Sequence, residues 1–218
     1  MISAVVFDAF GTLVNLQSKR HPFRQLLKEG AVGGRRASPD DVRVLMSNSW
    51  SLGDAADQLG ISISPTRLQA LQDDLDREVA SIIPFEDGTE AVALLRAEGV
   101  RVGLCSNLCE PYGAAVLHAF PDLDGYAFSY EVGAIKPHAL IYQSICTSLA
   151  VLPGDLFGVQ KEQIAMVGDS LKCDRDGPRA VGMLGFHLDR SGRGAIRDLV
   201  QFAKLVIEAR HTSMLQHG

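Results

Sequence analysis

Three apolar runs punctuate the chain, and each is continuous instead of alternating: Ala4-Val5-Val6-Phe7, Val102-Gly103-Leu104-Cys105 and Ile164-Ala165-Met166-Val167. A strand with one wet face alternates apolar and polar side chains, so unbroken runs of this length predict strands covered on both faces, as in a parallel sheet between helices. Each run stops at polar residues, at Asp8, at Ser106-Asn107 and at Gly168-Asp169. Weaker strands are expected at Ala127-Phe128-Ser129 and from Leu184 to Leu188. Helical patterns lie between them, from Glu90 to Glu98 before a turn at Gly99, and from about Ala139 to Ala150. Strand and helix alternate, which predicts an α/β fold with a Rossmann-like parallel sheet and right-handed crossovers. Ligands of such sheets bind beyond the carboxyl ends of the strands, where these polar residues fall.

Between Leu16 and Pro84 the period changes and only helices are expected. Ser38-Pro39-Asp40-Asp41 offers an N-cap serine, a first-turn proline and an early acid, launching a helix through Met46. Ser64-Pro65 starts another, in which Leu68, Leu71, Leu75 and Val79 keep a helical period. Shorter helices are expected at Pro22 to Lys28 and Leu52 to Leu59. The block reads as a helical-bundle lobe inserted after the first strand, a lid: residues 16–84 form a cap, and residues 1–15 and 85–218 the core. Val151 to Gln163, carrying Pro153-Gly154 and Phe157-Gly158, reads as a loop longer than its connection requires. The tail from His211 to Gly218 loses any clear period and is expected to fray.

Composition narrows the partners. A chain of 218 residues with 46% hydrophobic content can bury a substantial core, enough for one domain and an appended lobe. A formal charge of -5 gives no footprint for gripping nucleic acid or an anionic membrane. The expected partner is a small molecule. No apolar run approaches the ~18 residues of a spanning helix. Met1-Ile2-Ser3 leads straight into a strand, and Cys105, Cys109, Cys146 and Cys173 contain no C-x-x-C pair. A cytoplasmic protein with reduced thiols is expected; nothing along the chain reports an oligomeric state.

The chemistry starts at Phe7-Asp8-Ala9-Phe10-Gly11-Thr12-Leu13, a carboxylate at a strand end, a glycine turn and a hydroxyl. Taken alone this is a common turn. Here Ser106-Asn107 ends the second strand, Lys136-Pro137 follows Ser129-Tyr130-Glu131-Val132-Gly133, and Gly168-Asp169-Ser170 with Asp174 ends the third. Such joint placement at adjacent strand ends points to one shared site. A carboxylate nucleophile attacks a phosphorus, or a carbon bearing a leaving group, and forms an acyl phosphate or ester that water then cleaves. Asp8 is the candidate nucleophile. The Ser106 hydroxyl, with Asn107 beside it and nearby backbone N–H groups, is placed to hold a phosphoryl or carboxylate oxygen, and Lys136 to neutralise charge on nucleophile and substrate. Thr12 is expected to fix the loop.

These four elements resemble the motifs of the haloacid dehalogenase superfamily: an Asp-x-x-x-Thr/Val loop, a strand-end Ser/Thr, a Lys, and a Gly-Asp-x-x-x-x-Asp loop. The resemblance runs from Val5 through Gly182-Met183, and the cap after the first strand matches the superfamily's subfamily I. It implies a hydrolase with a Rossmann-like core and Asp8 as nucleophile. Within the superfamily, phosphatases typically carry an aspartate two residues after the nucleophile to protonate the leaving group; here that position is Phe10. The aromatic residue resembles the 2-haloacid dehalogenases, as does the spacing from Lys136 to Tyr142, and a halide leaving group needs no proton.

The acidic loop points the other way. Asp8, Asp169 and Asp174 bring three negative charges against the single positive one of Lys136, which calls for a divalent cation, and an oxygen-rich site of this kind suits Mg²⁺. In phosphatase relatives the metal takes the nucleophile, a backbone carbonyl two residues later, here that of Phe10, and the first acid of the last motif. Dehalogenases use no metal, generally lack an acid at the position of Asp169, and use a cap arginine that has no counterpart at the expected place. The expectation is a Mg²⁺-dependent hydrolase of small organic phosphates, with leaving-group protonation weak or supplied from the cap, for instance by His21. Two alternatives stay open: a metal-independent 2-haloacid dehalogenase, and a degenerate protein that binds a phosphorylated ligand without turnover. Cys105 and Cys173 read as packing residues, the cluster Lys19-Arg20-His21 with Arg24, Arg35 and Arg36 as a solvated surface, and His118, His138 and His187 as scattered.

Overall fold

The computed structural model describes residues 1–152 and 163–215. Its strands are β1 (Ile2–Phe7), β2 (Val14–Leu16), β3 (Ile82–Pro84), β4 (Arg101–Ser106), β5 (Gly125–Phe128), β6 (Gln163–Gly168) and β7 (Leu184–His187). Five of them form a parallel sheet in the order β5-β4-β1-β6-β7. The three continuous apolar runs are its three central strands. All six residues of β1 are buried, and its side chains divide between two cores. Val5 and Phe7 join Leu95, Phe202 and Val206 on one face, and Ala4 and Val6 join Ile141, Ile145 and Met166 on the other. The continuous pattern arises because helices cover both faces: Glu86–Ala97 and Leu199–Leu215 on the first, Ala139–Ser148 on the second.

The chain leaves β1 for β4 and β5 on one side, then returns across the sheet to β6 and β7 on the other. The reversal leaves a crevice at the carboxyl end of β1, flanked by the ends of β4 and β6, which is where open α/β sheets place their ligands.

Between β2 and β3 the described elements are helices alone: Pro22–Val32, Asp41–Met46, Leu52–Gln58 and Pro65–Val79. Ser64 caps the last of these, its hydroxyl accepting from the Arg67 N–H at 3.2 Å, and Leu71 and Leu75 are buried along the expected stripe. Three details differ from the sequence reading. The second helix begins at Asp41, not directly behind Ser38, because the turn ahead of it closes through an i→i−3 bond from the Asp41 N–H to the Ser38 carbonyl at 3.1 Å; the Asp41 carboxylate accepts the Ser38 N–H at 2.9 Å and pairs with Arg35 at 2.7 Å. A two-stranded antiparallel ribbon, β2 with β3, closes the base of the insertion; segments of three residues were too short to show a period. The last helix continues to Leu215 where fraying was expected from His211, with Arg210 buried and donating to the carbonyls of Ile2 and Glu98. The expected long loop, apart from its first two residues and Gln163 at the start of β6, lies outside the described residues.

Candidate active site

Asp8 follows β1 directly and keeps its backbone in the sheet, its N–H bonded to the Val167 carbonyl at 3.0 Å. The loop behind it is tied by backbone bonds: Thr12, Leu13 and Val14 all donate to the Ala9 carbonyl at 2.8–3.2 Å, and Gly11 donates to Val14. Thr12, expected to fix the loop, takes part through its main chain, its N–H bonding the Ala9 carbonyl and its own carbonyl accepting from Arg190 at 2.8 Å, while its hydroxyl is buried with no hydrogen-bond partner among the described residues. A turn this tight is closed by its own main chain. Gly11 is required for two reasons. Its φ is +78°, and a Cβ there would lie 2.2 Å from the Asp169 carboxylate.

Lys136 lies at the centre. It is 3% exposed, and its Nζ donates to Asp8 Oδ1 at 2.7 Å, to Asp174 Oδ1 at 2.7 Å and to the Cys105 carbonyl at 3.0 Å, which uses all three ammonium protons. Burial alone would pull its pKa down, but the charges of Asp8 and Asp174 outweigh it and hold Lys136 above the usual lysine value. The Ser106 hydroxyl donates to the same Asp8 Oδ1 at 3.0 Å. Asp8 Oδ2 accepts no hydrogen bond among the described residues, so one oxygen is held and the other is available. Asn107 spends its amide on the backbone of Lys136, accepting its N–H at 2.7 Å and donating to its carbonyl at 3.1 Å.

The third strand end contributes two acids of different character. Asp174 is buried, one oxygen on Lys136 and the other on the Ser170 N–H at 2.9 Å. Burial pushes its carboxyl up, with Lys136 opposing and Asp8 adding to the shift. Asp169 is exposed at the crevice, and partial burial followed by the Asp8 charge raises it as well. Gly168 lets the acids close in, since a Cβ there would meet Asp174 Oδ2 at 2.4 Å and Asp8 Cβ at 2.8 Å. One oxygen from each of Asp8, Asp169 and Asp174 lies within 4.8 Å of the others. Three carboxylates face one ammonium, and such an all-oxygen donor set fits a hard divalent cation.

The structure therefore brings Asp8, Ser106, Asn107, Lys136, Asp169 and Asp174 to one rim of the sheet, while the Phe10 side chain turns toward Tyr112, ring centroids 5.9 Å apart and planes at 88°. Three residues went unnoticed in the sequence. Arg190 donates to the carbonyls of Gly11 at 3.2 Å and Thr12 at 2.8 Å, pairs with Asp87 at 2.9 Å, and lies 4.0 Å over the Phe85 ring. It clamps the loop behind Asp8 to the residues that follow the insertion. Ser129 holds the loop after β4, accepting from the Leu108 N–H and donating to its carbonyl. Glu78, buried at the end of the Pro65–Val79 helix, accepts the N–H groups of Arg20 and His21 and the Tyr112 hydroxyl at 2.7 Å. His187, set aside as scattered, touches the Asp169 carbonyl at 3.1 Å. Tyr142 is committed to the Cys173 carbonyl at 2.6 Å.

The rim of the parallel sheet thus carries a strand-end aspartate, a buried lysine across it and an acidic loop beside it. The family model for haloacid dehalogenase-like hydrolases matches residues 2–182, and the chain belongs to that family. No curated protein matches the sequence. Among solved structures it is similar to a phosphatase of the superfamily from Thermococcus onnurineus, with a TM-score of 0.63 and 22% identity over 94% of this chain and 98% of that one. It is also similar to the L-2-haloacid dehalogenase of Xanthobacter autotrophicus, with a TM-score of 0.59 and 19% identity over 94% and 98%. A third likeness is a family enzyme from Bacteroides thetaiotaomicron in complex with magnesium and inorganic phosphate, with a TM-score of 0.58 and 16% identity over 89% and 98%. At these identities the likenesses establish the fold, and they include both phosphatases and dehalogenases.

Proposed function

We propose that the chain is a Mg²⁺-dependent hydrolase of a small organic phosphate, with Asp8 as the covalent nucleophile. The observation that carries this reading is the convergence of Asp8, Asp169 and Asp174 within 4.8 Å around one lysine. Asp8 Oδ2 attacks phosphorus while Ser106 and Lys136 hold Oδ1 and fix the carboxylate plane. Lys136 stays charged throughout and offsets the negative charge gathering between nucleophile and phosphoryl oxygens. Asn107 sets the height of Lys136, and Asp174 fixes its direction. Asp8, Asp169, Asp174 and the Phe10 carbonyl are the groups that would hold the cation. When bound, Mg²⁺ supplies positive charge to the phosphoryl oxygens and orients the phosphate.

Residues 16–84 act as a cap over the core of residues 1–15 and 85–218, admitting substrate when open and excluding water when closed. The antiparallel ribbon of β2 and β3 joins the cap to the core, and the cap would hinge there. No helix among the described residues is long and apolar enough to cross a membrane, and Cys105, Cys109, Cys146 and Cys173 are free; we place the protein in the cytoplasm.

A second reading, metal-independent 2-haloacid hydrolysis, is favoured by one feature, Phe10 where a leaving-group acid would stand. Phosphate release from 4-nitrophenyl phosphate with Mg²⁺ or with EDTA, set against chloride release from 2-chloropropionate in EDTA, separates the two. Mg²⁺-dependent phosphate release that is lost in Asp8→Asn supports the proposal, and metal-independent chloride release overturns it. Equal inactivity of wild type and Asp8→Asn on both substrates, with equal phosphate binding, would make the protein a binding module.

A further inference from the structure

We propose that the group carried by the phosphate is aromatic and apolar, so that the natural substrate is an aryl phosphate. The inference rests on the phosphatase reading and adds the leaving group. A cavity of about 350 Å³ opens beside the nucleophile. It starts at Phe10, two residues past Asp8, and at Asn107, next to the Ser106 hydroxyl that bonds Asp8. Its walls are Phe10, Phe23 and Tyr112, with Leu27, Met46 and Leu108 between them.

The polar groups along the cavity are mostly spent. Glu78 accepts the Arg20 and His21 N–H groups and the Tyr112 hydroxyl, and both ends of the Asn107 amide bond the Lys136 backbone. His21 and Arg24 remain, both exposed. A sugar or nucleoside in this space would bury hydroxyls with no partners, which binding penalises. An apolar ring meets no such penalty. Phe10 and Phe23 flank Tyr112 at centroid distances of 5.9 and 6.4 Å, edge-on and tilted respectively, so the walls offer both ring edges and ring faces to a guest. Apolar cavities near ~150 Å³ take benzene, and this one has room for one or two fused rings.

The chemistry agrees independently. When Asp8 Oδ2 bonds to phosphorus, the bond from phosphorus to the leaving oxygen breaks and its electron pair departs on that oxygen. An alkoxide must be protonated as it leaves, and Phe10 has no proton to give. A phenol ionises near ~10, as tyrosine does, so a phenolate departs unaided and takes its proton from water afterwards. Water then attacks phosphorus in the aspartyl phosphate, releasing inorganic phosphate and restoring the Asp8 carboxylate.

The test is a kcat/KM panel with Mg²⁺: 1-naphthyl phosphate, phenyl phosphate, acetyl phosphate, glycerol phosphate and a hexose 6-phosphate. Acetyl phosphate has the better leaving group but no ring, so it separates pocket binding from leaving-group acidity. The expected result is a KM for 1-naphthyl phosphate at least tenfold below that for acetyl phosphate, and kcat/KM at least a hundredfold above the sugar and glycerol esters. Leu27→Asp, and Val42→Asp at an exposed residue that also lines the cavity, should each lower the ratio of kcat/KM for naphthyl over acetyl phosphate by tenfold or more. Glycerol or hexose phosphate turned over as well as naphthyl phosphate, equal KM values for naphthyl and acetyl phosphate, or an unchanged ratio in both variants would overturn the inference while leaving a phosphatase. Failure to hydrolyse any member, acetyl phosphate included, would remove the underlying reading and this one with it.

Discussion

Replacing Lys136 by methionine keeps the stem and removes the charge that separates Asp8 from Asp174. Its ammonium sits 2.7 Å from an oxygen of each. Without it, two carboxylates with oxygens within 4.8 Å face each other across the crevice. At an effective dielectric near 20 their repulsion is roughly 3.5 kcal/mol, and removing one partner of a buried ion pair typically costs about 3–5 kcal/mol. For a domain of this length each kcal/mol moves Tm by about 2–4 °C, so a fall of roughly 6–20 °C is expected in EDTA near pH 8. The loss should shrink near pH 5, where a proton takes the place of the ammonium, and shrink again near pH 8 with millimolar Mg²⁺. Thermal unfolding followed by circular dichroism under these three conditions reads all of it. A fall below about 2 °C in EDTA near pH 8, or an equal fall at both pH values, would refute the claim that Lys136 is the electrostatic keystone.

Three further outcomes follow from the same geometry. Phe10→Asp introduces a carboxyl two residues past Asp8 and, if Asp8 is the nucleophile as proposed, should raise glycerol phosphate turnover by roughly 10²-fold; no gain in steady-state assays would mean that leaving-group protonation is not what limits this site. Arg190→Ala frees the Gly11 and Thr12 carbonyls and the Asp87 carboxylate, and should lower kcat about tenfold or more with little change in KM. Arg190→Lys, which cannot span both carbonyls and the carboxylate, should recover only part; a KM effect alone would make Arg190 a substrate ligand. Asp169 and Asp174 both have carboxyls raised mainly by burial, Asp174 to about 6, so both bind protons more tightly folded than unfolded. Their contribution to stability is full below the ordinary value of 3.8 and is lost as pH climbs through the raised values. A cation that takes the place of those protons should therefore widen the gap in Tm between Mg²⁺ and EDTA from pH 5 to pH 8, and a constant or narrowing gap would contradict the shared site.

Much of the architecture was legible because the relevant signal is local. The runs at Ala4 to Phe7, Val102 to Cys105 and Ile164 to Val167 are continuous because helices cover both faces of the sheet. Ser64-Pro65 launches its helix through a cap that needs only the next three residues. Where the partner is distant the signal vanishes. Asp41 is the first-turn acid that the sequence suggested, but its bidentate partner Arg35, outside the helix, carried no signal of its own. Val14–Leu16 and Ile82–Pro84 carry no period of their own and become strands only by pairing with each other.

The order and identity of the chemical groups, Asp8, Ser106, Lys136, Asp169 and Asp174, belong to the sequence itself, since side-chain chemistry at strand ends is written residue by residue. Which of those groups are committed and which stay available was decided by tertiary packing alone. Asn107 read as an open polar group and Glu78 went unnoticed, yet one is consumed by the Lys136 backbone and the other by a phenol and two amides from across the molecule. The Thr12 hydroxyl has no partner among the described residues, while a guanidinium 179 residues beyond Gly11 holds the carbonyl of that glycine. Hydrogen bonds and cavities of this kind join segments far apart in sequence, and no local propensity encodes which donor will arrive at which acceptor.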